Sequence, residues 1–301
     1  MLHENEIPAD EAVVRSLLRA QRPEWATLSM SPAGAGTDNT MYRLGDDLLV
    51  RVPRTADKAR ALHKERTWLP RLGKLLTCRI PEPVHAGAPA AGFPIPWSVY
   101  RWIDGAEPGP TTVQDWKSFG TDLATFVREL HSIDLMGVAR AGELSWYRGG
   151  SLTACDEWIR SCFEDCRTNI AAELDVESLE RLWHAAIGLP EPSRPHVWLH
   201  GDLRPANLLV ADGRLQAVID FGGLSVGSPT AEHAPVWDLP YQAREAYWNA
   251  VDLDDHSWTH ARAWAIAVGI SGISYYWNTW PAFVAECRAR LETILTDAAT
   301  R

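Results

Sequence analysis

No stretch of this chain is apolar for the roughly 20 residues that a membrane-spanning helix needs. The most apolar late run, AWAIAVGISGISYYW at 263–277, is shorter, and its polar surroundings predict a buried core helix. Nor does the chain open on the basic-then-apolar pattern of an export signal, because MLHENEIPADEAVV places acids there. The expectation is a cytoplasmic protein with no membrane partner. Cysteine is scarce and odd in number, five in 301 residues, which argues for reduced thiols over a disulfide framework. Cys155, Cys162 and Cys166 fall at spacings that share one helical face, but no His stands at ligand spacing beside them. Core packing is therefore favoured over a metal site. A basic excess is also missing: the net charge of −10 gives no footprint for a phosphate backbone, so nucleic acid is not an expected partner. A cationic small molecule suits that charge better. With no internal repeat or low-complexity tract, and with 46% hydrophobic and 23% charged residues, the composition is that of a globular chain. Its length fits one large domain or two modest ones.

What is present reads as strands first and helices afterward. Residues 8–20 have apolar positions at helical spacing and predict a first helix. SPAGAGTDNTMYRL reads as a small-residue loop entering a short strand, Gly45-Asp46-Asp47 as a turn, and LLVRV as the return strand. From Asp57 to Leu72 the pattern is helical, with Leu62, Leu69 and Leu72 on one stripe. Glu65 falls on that stripe too, where a carboxylate is costly unless a cation pairs with it. A strand, WSVYRWI, closes this part, and helical patterns at 112–132 and 152–187 dominate the rest of the chain. The expected class is α+β, with a first unit over 1–103 and a helical second unit over 104–301.

One stretch interrupts those helices. In HGDLRPANLLVADGRLQAVIDFGG, residues 200–223, an Asp-Gly turn separates two apolar runs, the signature of a hairpin. Asn207 and Asp220 are nearly equidistant from Asp212-Gly213, so counting predicts that they face each other at its open end. An amide oxygen and a carboxylate are hard ligands suited to Mg²⁺. Asp202, on the loop leading in, is left to act on a substrate proton, an arrangement that fits phosphoryl transfer.

His200-Gly201-Asp202, then Asn207, then Ile219-Asp220-Phe221-Gly222 resembles the catalytic and metal motifs of the protein-kinase-like superfamily, and most closely those of the aminoglycoside phosphotransferase family. The resemblance covers most of the chain and implies a two-lobed fold with a small antiparallel-sheet N-lobe. It implies Asp202 as catalytic base, Arg204 facing the γ-phosphoryl group, and Asn207 and Asp220 as magnesium ligands. Arg51, where the family usually has Lys, would pair with Glu65 and hold the α and β phosphates of ATP or GTP. Backbone N–H groups from Gly34 to Asn39, Gly36 and Asn39 among them, would contact phosphate. Ser98 and Tyr100 lie on the strand that meets the nucleotide base. His200 is expected to be structural.

Two departures from the family pattern bear on the substrate. Gly201 replaces the Arg with which protein kinases read a phosphorylated activation loop, which favours a small-molecule hydroxyl acceptor over a protein. Ser228 stands where many members have Asp, leaving the order of that loop open. For acceptor contact, the acids Asp156 and Glu157 and the pair Trp237 and Asp238 are candidates, although a charged helix face is usually just solvated. The implied activity is modification of an aminoglycoside or related antibiotic, hence antibiotic resistance. A housekeeping kinase for an amino alcohol, sugar or nucleoside, or a kinase-like module that binds without turnover, also fits the residues.

Overall fold

In a computed structural model, residues 5–35 and 38–300 are described, and they form two compact units. The first comprises residues 1–105 and 216–222, and the second 106–215 and 223–301. The boundary thus falls two residues beyond Ile103, and a segment far along the chain returns to the first unit. Its reason is hydrogen bonding: Arg79 N–H donates to Gln216 O (3.3 Å) and Val218 N–H to Arg79 O (3.0 Å).

In the first unit, α1 (Glu11–Gln21) starts at Asp10, whose side chain accepts from Val13 N–H and satisfies one of the open donors of the first turn. Five strands come after it: β1 (Met30–Ala35), β2 (Asn39–Leu44), β3 (Leu48–Pro53), β4 (Pro83–Gly87) and β5 (Trp97–Arg101), with α2 (Ala59–Leu72) inserted after β3. They form one antiparallel sheet in the order β1-β2-β3-β5-β4. The stretch SPAGA, which the sequence suggests is loop, is part of β1. As an edge strand it tolerates Pro32, and its register shifts between Pro32 and Ala35. Val50, Val52, Trp97 and Val99 are buried with Val14, Leu17 and Leu18 of α1. The register sets Arg51 opposite Ser98. Because side chains alternate along a strand, Arg51, Ser98 and Tyr100 share the other face.

The second unit is mainly helical. Asp115 accepts from Lys117 and Ser118 N–H and starts α3 (Trp116–Ser132) later than the apolar pattern alone indicates. The pattern read at 152–187 is two helices, α4 (Asp156–Ile170) and α5 (Val176–Ile187), because Asp175 caps the second through Ser178 N–H. Strand β6 (Val197–Leu199) pairs with β9 (Ser225–Gly227). Between them in the chain come β7 (Leu208–Ala211) and β8 (Arg214–Val218), a hairpin of which residues from 216 onward belong to the first unit. Asp212 and Gly213, at φ 50° and 76°, provide the two positive φ values that match a tight turn to strand twist. Helices α6 (Tyr241–Val251), α7 (Asp255–Tyr276) and α8 (Pro281–Thr300) complete the unit. α7 holds most of the 263–277 run and is buried on most sides, as a helix apolar all round must be. No helix among the described residues is long and apolar enough to cross a membrane.

The five cysteines form no disulfide with one another. Cys155, Cys162 and Cys166 are buried, and burial pushes the Cys166 thiol up to about 12. Among the described residues no group of three or more His, Cys, Asp or Glu is placed to hold a metal.

Candidate active site

The sheet of the first unit carries a buried charge cluster. Arg51 Nη1 donates to both carboxylate oxygens of Glu65 at 3.0 Å, and Nη2 donates to Asp220 Oδ1 at 3.1 Å. The Tyr100 hydroxyl donates to Glu65 as well, and the guanidinium lies 5.3 Å from the Tyr100 ring centre. Glu65 is fully buried. Burial pushes its carboxyl above the ordinary value, Arg51 opposes this, and Asp220 adds to it. The acid on the apolar stripe has therefore found its cation. The Arg-for-Lys departure also acquires a physical sense. A guanidinium fork can hold two carboxylates through separate nitrogens, whereas an ammonium is a single point charge. Tyr100 is committed to Glu65 through its hydroxyl, and Ser98 is buried. Asn39 starts β2 and is buried, with no hydrogen-bond partner at Oδ1 among the described residues. Gly36 lies outside the described residues.

In the second unit, residues 200–207 are fixed by contacts distant in sequence. Glu232, buried and 32 residues downstream, accepts from the His200 and Gly201 N–H groups. Burial pushes its carboxyl up to about 7, against the pull of those two donors. His200 Nδ1 accepts from Asp202 N–H at 3.2 Å, the structural role expected of it. Asp202 Oδ1 accepts from Arg148 Nη1 at 2.5 Å. Burial raises the Asp202 carboxyl, but the charge and hydrogen bond of Arg148, then His200 and Arg204, outweigh it and hold the group below its ordinary value. Its side chain remains 36% exposed. An ionised, partly accessible carboxylate on a fixed backbone is what a proton acceptor requires.

Gly201 has a second reason to be glycine besides its place in the motif. Its φ is +81°, and a Cβ there would stand 2.3 Å from Gly223 O and 3.0 Å from the Trp146 ring. Gly201→Ala is expected to cost about 1–3 kcal/mol from backbone strain alone, with overlap adding to it. Urea denaturation checks this, and an unchanged midpoint would refute it.

For a divalent cation, the donor set can be judged from bonds already made. Asn207 Nδ2 donates to Asp202 O at 2.8 Å, which leaves Oδ1 as a hard ligand. Asp220 gives Oδ1 to Arg51 and is 49% exposed, so its second oxygen is available. Each of the two, taken by itself, offers a hard oxygen of the kind magnesium takes. Asn207 belongs to the second unit and Asp220 to the first.

Of the remaining candidates, all but Glu157 are engaged in contacts of their own. Arg204 donates to Glu286 at 2.5 Å, with its guanidinium 4.7 Å from the Phe283 ring centre. Asp238 is gripped by Arg290 through two bonds of 2.7 and 2.6 Å, and Trp237 is buried 4.4 Å from Trp258, centre to centre. Asp156 accepts from Trp183 Nε1 and pairs with Arg160, both at 2.8 Å, while Glu157 is exposed. Ser228 donates its N–H to Gly149 O at 2.8 Å and shares a hydrogen bond with Thr230. Sequence reasoning missed Arg148, Glu232 and Arg290. For Glu232 a signal existed, since an acid within the small, apolar run GSPTAEHAPVW raises the same question as Glu65.

Residues 29–265 match the profile of the phosphotransferase enzyme family. No curated protein matches the chain. Among solved structures, the chain is similar to the GDP complex of aminoglycoside 2'-phosphotransferase-IIIa, at 22% identity and TM-score 0.72, covering 97% of this chain and 99% of that one. It is also similar to a complex of GDP and kanamycin with an aminoglycoside phosphotransferase, at 21% identity and TM-score 0.68, covering 96% and 99%. A macrolide 2'-phosphotransferase from Brachybacterium faecium is 20% identical with TM-score 0.61, covering 94% and 98%.

Proposed function

This chain belongs to the phosphotransferase enzyme family, and we propose that it transfers the γ-phosphoryl group of ATP or GTP to a hydroxyl of a small antibiotic-like molecule. The observation that carries the reading is the state of Asp202, ionised, partly exposed and held by Arg148. In the reaction the acceptor O–H bond breaks as its proton passes to Asp202. The new O–P bond forms, and the bond from phosphorus to the departing diphosphate breaks. Arg51, oriented by Glu65, neutralises nucleotide phosphates. Magnesium, with Asn207 and Asp220 as its protein ligands, would supply charge neutralisation at the phosphate oxygens. Arg204, the residue assigned to the transferring group, holds Glu286 through Nη2 alone.

Aminoglycosides are the first acceptor class to test, because solved relatives are named for them. A second class, with few positive charges, is favoured by one observation. Around Asp202 three carboxylates already have cations, Asp202 with Arg148, Glu286 with Arg204 and Asp238 with Arg290, and a fourth, Glu232, is buried on backbone N–H groups. A polycation would have to displace guanidinium groups, whereas a weakly charged acceptor such as a macrolide would not. Nucleotide consumption with kanamycin, gentamicin and erythromycin, with ATP and GTP in parallel, separates these. Stimulation by none of them would overturn the antibiotic reading and leave a metabolite kinase or a module that binds without turnover.

Asp220→Ala is expected to abolish magnesium-dependent nucleotide binding while leaving the Arg51–Glu65 pair intact. Calorimetric titration with and without Mg²⁺ measures this, and an unchanged affinity would remove Asp220 from the metal site.

A further inference from the structure

Arg148 lies in no motif that the sequence singles out, yet the chain around it is built to hold it. The segment Trp146-Tyr147-Arg148-Gly149-Gly150 has no regular secondary structure in which backbone groups pair by default. Its polar groups are instead tied individually. Trp146 O accepts from Arg140 Nη2 at 2.6 Å, Gly150 N–H donates to Tyr147 O at 3.0 Å, and Gly149 O accepts from Ser228 N–H at 2.8 Å. Gly149 has φ +86°, and a Cβ on it would lie 2.4 Å from Leu199 Cδ1; one on Gly227 would lie 2.5 Å from Gly149 O. Two backbones cross here at a separation that only glycine allows.

What this crossing presents is a guanidinium whose side chain is 14% exposed. Arg148 Nε donates to the Tyr147 hydroxyl at 2.8 Å, and the group lies 4.8 Å from the Trp146 ring centre. Nη1 donates to Gly201 O at 2.8 Å and to Asp202 Oδ1 at 2.5 Å. The contact with the Gly201 carbonyl fixes the backbone on which the carboxylate is mounted, and the contact with Oδ1 fixes the carboxylate itself. Among the described residues Oδ2 makes no hydrogen bond.

We propose that Arg148 is the positioning residue of the catalytic base, anchoring Oδ1 of Asp202 so that Oδ2 is the oxygen that receives the acceptor's proton. The inference rests on the reading of Asp202 as that base. Its effect is on geometry. A reacting group displaced by 1 Å loses about 10²-fold in rate, because the approach to the acceptor is no longer prepaid by the fold. Arg148 has no part in nucleotide binding on this account, so its loss should fall on kcat.

Arg148→Ala and Arg148→Lys enzymes test this, assayed with whichever of kanamycin, gentamicin and erythromycin best stimulates the parent. For Arg148→Ala, kcat is expected to fall about 10²-fold with the KM for ATP little changed. Millimolar guanidinium should restore part of the loss, by filling the vacated place beside Asp202. Arg148→Lys keeps the charge but not the fork, and its kcat is expected between the two. An unchanged kcat, or a loss that guanidinium does not restore, would overturn the proposal. A crystal structure of Arg148→Ala supplies a readout independent of turnover. Displacement of the Asp202 carboxylate supports the anchor, and an unmoved carboxylate refutes it. If none of the three stimulates the parent, the antibiotic reading fails, and the crystal structure still decides on Arg148.

Discussion

Replacing Asp202 with Ala is expected to slow turnover by about 10²-fold to 10⁴-fold, the range for loss of a positioned base, with nucleotide affinity nearly intact. The prediction separates chemistry from binding, because Arg51 and Glu65, the groups assigned to the nucleotide, lie in the other unit. A complication must be removed first. Arg148 is largely buried, and Ala at 202 leaves its guanidinium without a charged partner, which is itself destabilising. Asp202→Asn resolves this. An amide oxygen still accepts from Arg148 but cannot take up a proton at neutral pH, so folding is spared while turnover is lost. Steady-state kinetics with denaturation midpoints on both variants provide the test. Near-normal turnover by Asp202→Asn would remove Asp202 from the chemistry.

Glu65→Ala is expected to destabilise the first unit by about 3–5 kcal/mol, the cost of leaving a buried charge without its partner. Two carboxylates touch Arg51, and magnitudes decide which matters. Glu65 is fully buried and takes two hydrogen bonds from Arg51 and one from Tyr100. Asp220 is 49% exposed, and pairs so open to water contribute about 0–1 kcal/mol. Asp220 therefore cannot replace Glu65, and the Tyr100 hydroxyl also loses its acceptor. Glu65→Gln keeps the shape and an acceptor oxygen and should cost less. Urea unfolding followed by circular dichroism ranks the variants. Equal stability of Glu65→Ala and the parent would show that the cluster rearranges without cost.

Much of the site was legible because its signals are local. The Asp-Gly turn is a short-range device, and the two positive φ values at Asp212 and Gly213 are what its residues lead one to expect. Glu65 could be questioned because a helix repeats every 3.6 residues and an acid on the apolar stripe breaks the pattern. Element ends were less legible. Asp115 and Asp175 start helices by capping, and whether an Asp caps a helix or merely lies in it depends on backbone geometry that periodicity does not report. The small residues of β1 resemble a loop, and its strand character comes from pairing with β2.

By itself the sequence determined the α+β class and drew attention to Glu65, Asp202, Asn207 and Asp220 through neighbours a few residues away, and to Arg51 through the family resemblance. Beyond the Arg51–Glu65 pair, tertiary structure alone decided which partners the charged groups meet. Arg148 reaches Asp202 across 54 residues, Glu232 reaches His200 across 32, and Arg204 reaches Glu286 across 82. Burying a charge is costly unless an opposite charge or a hydrogen-bond partner is brought to it. Which partner is brought depends on how helices and loops cross in space, and no period in the chain records that.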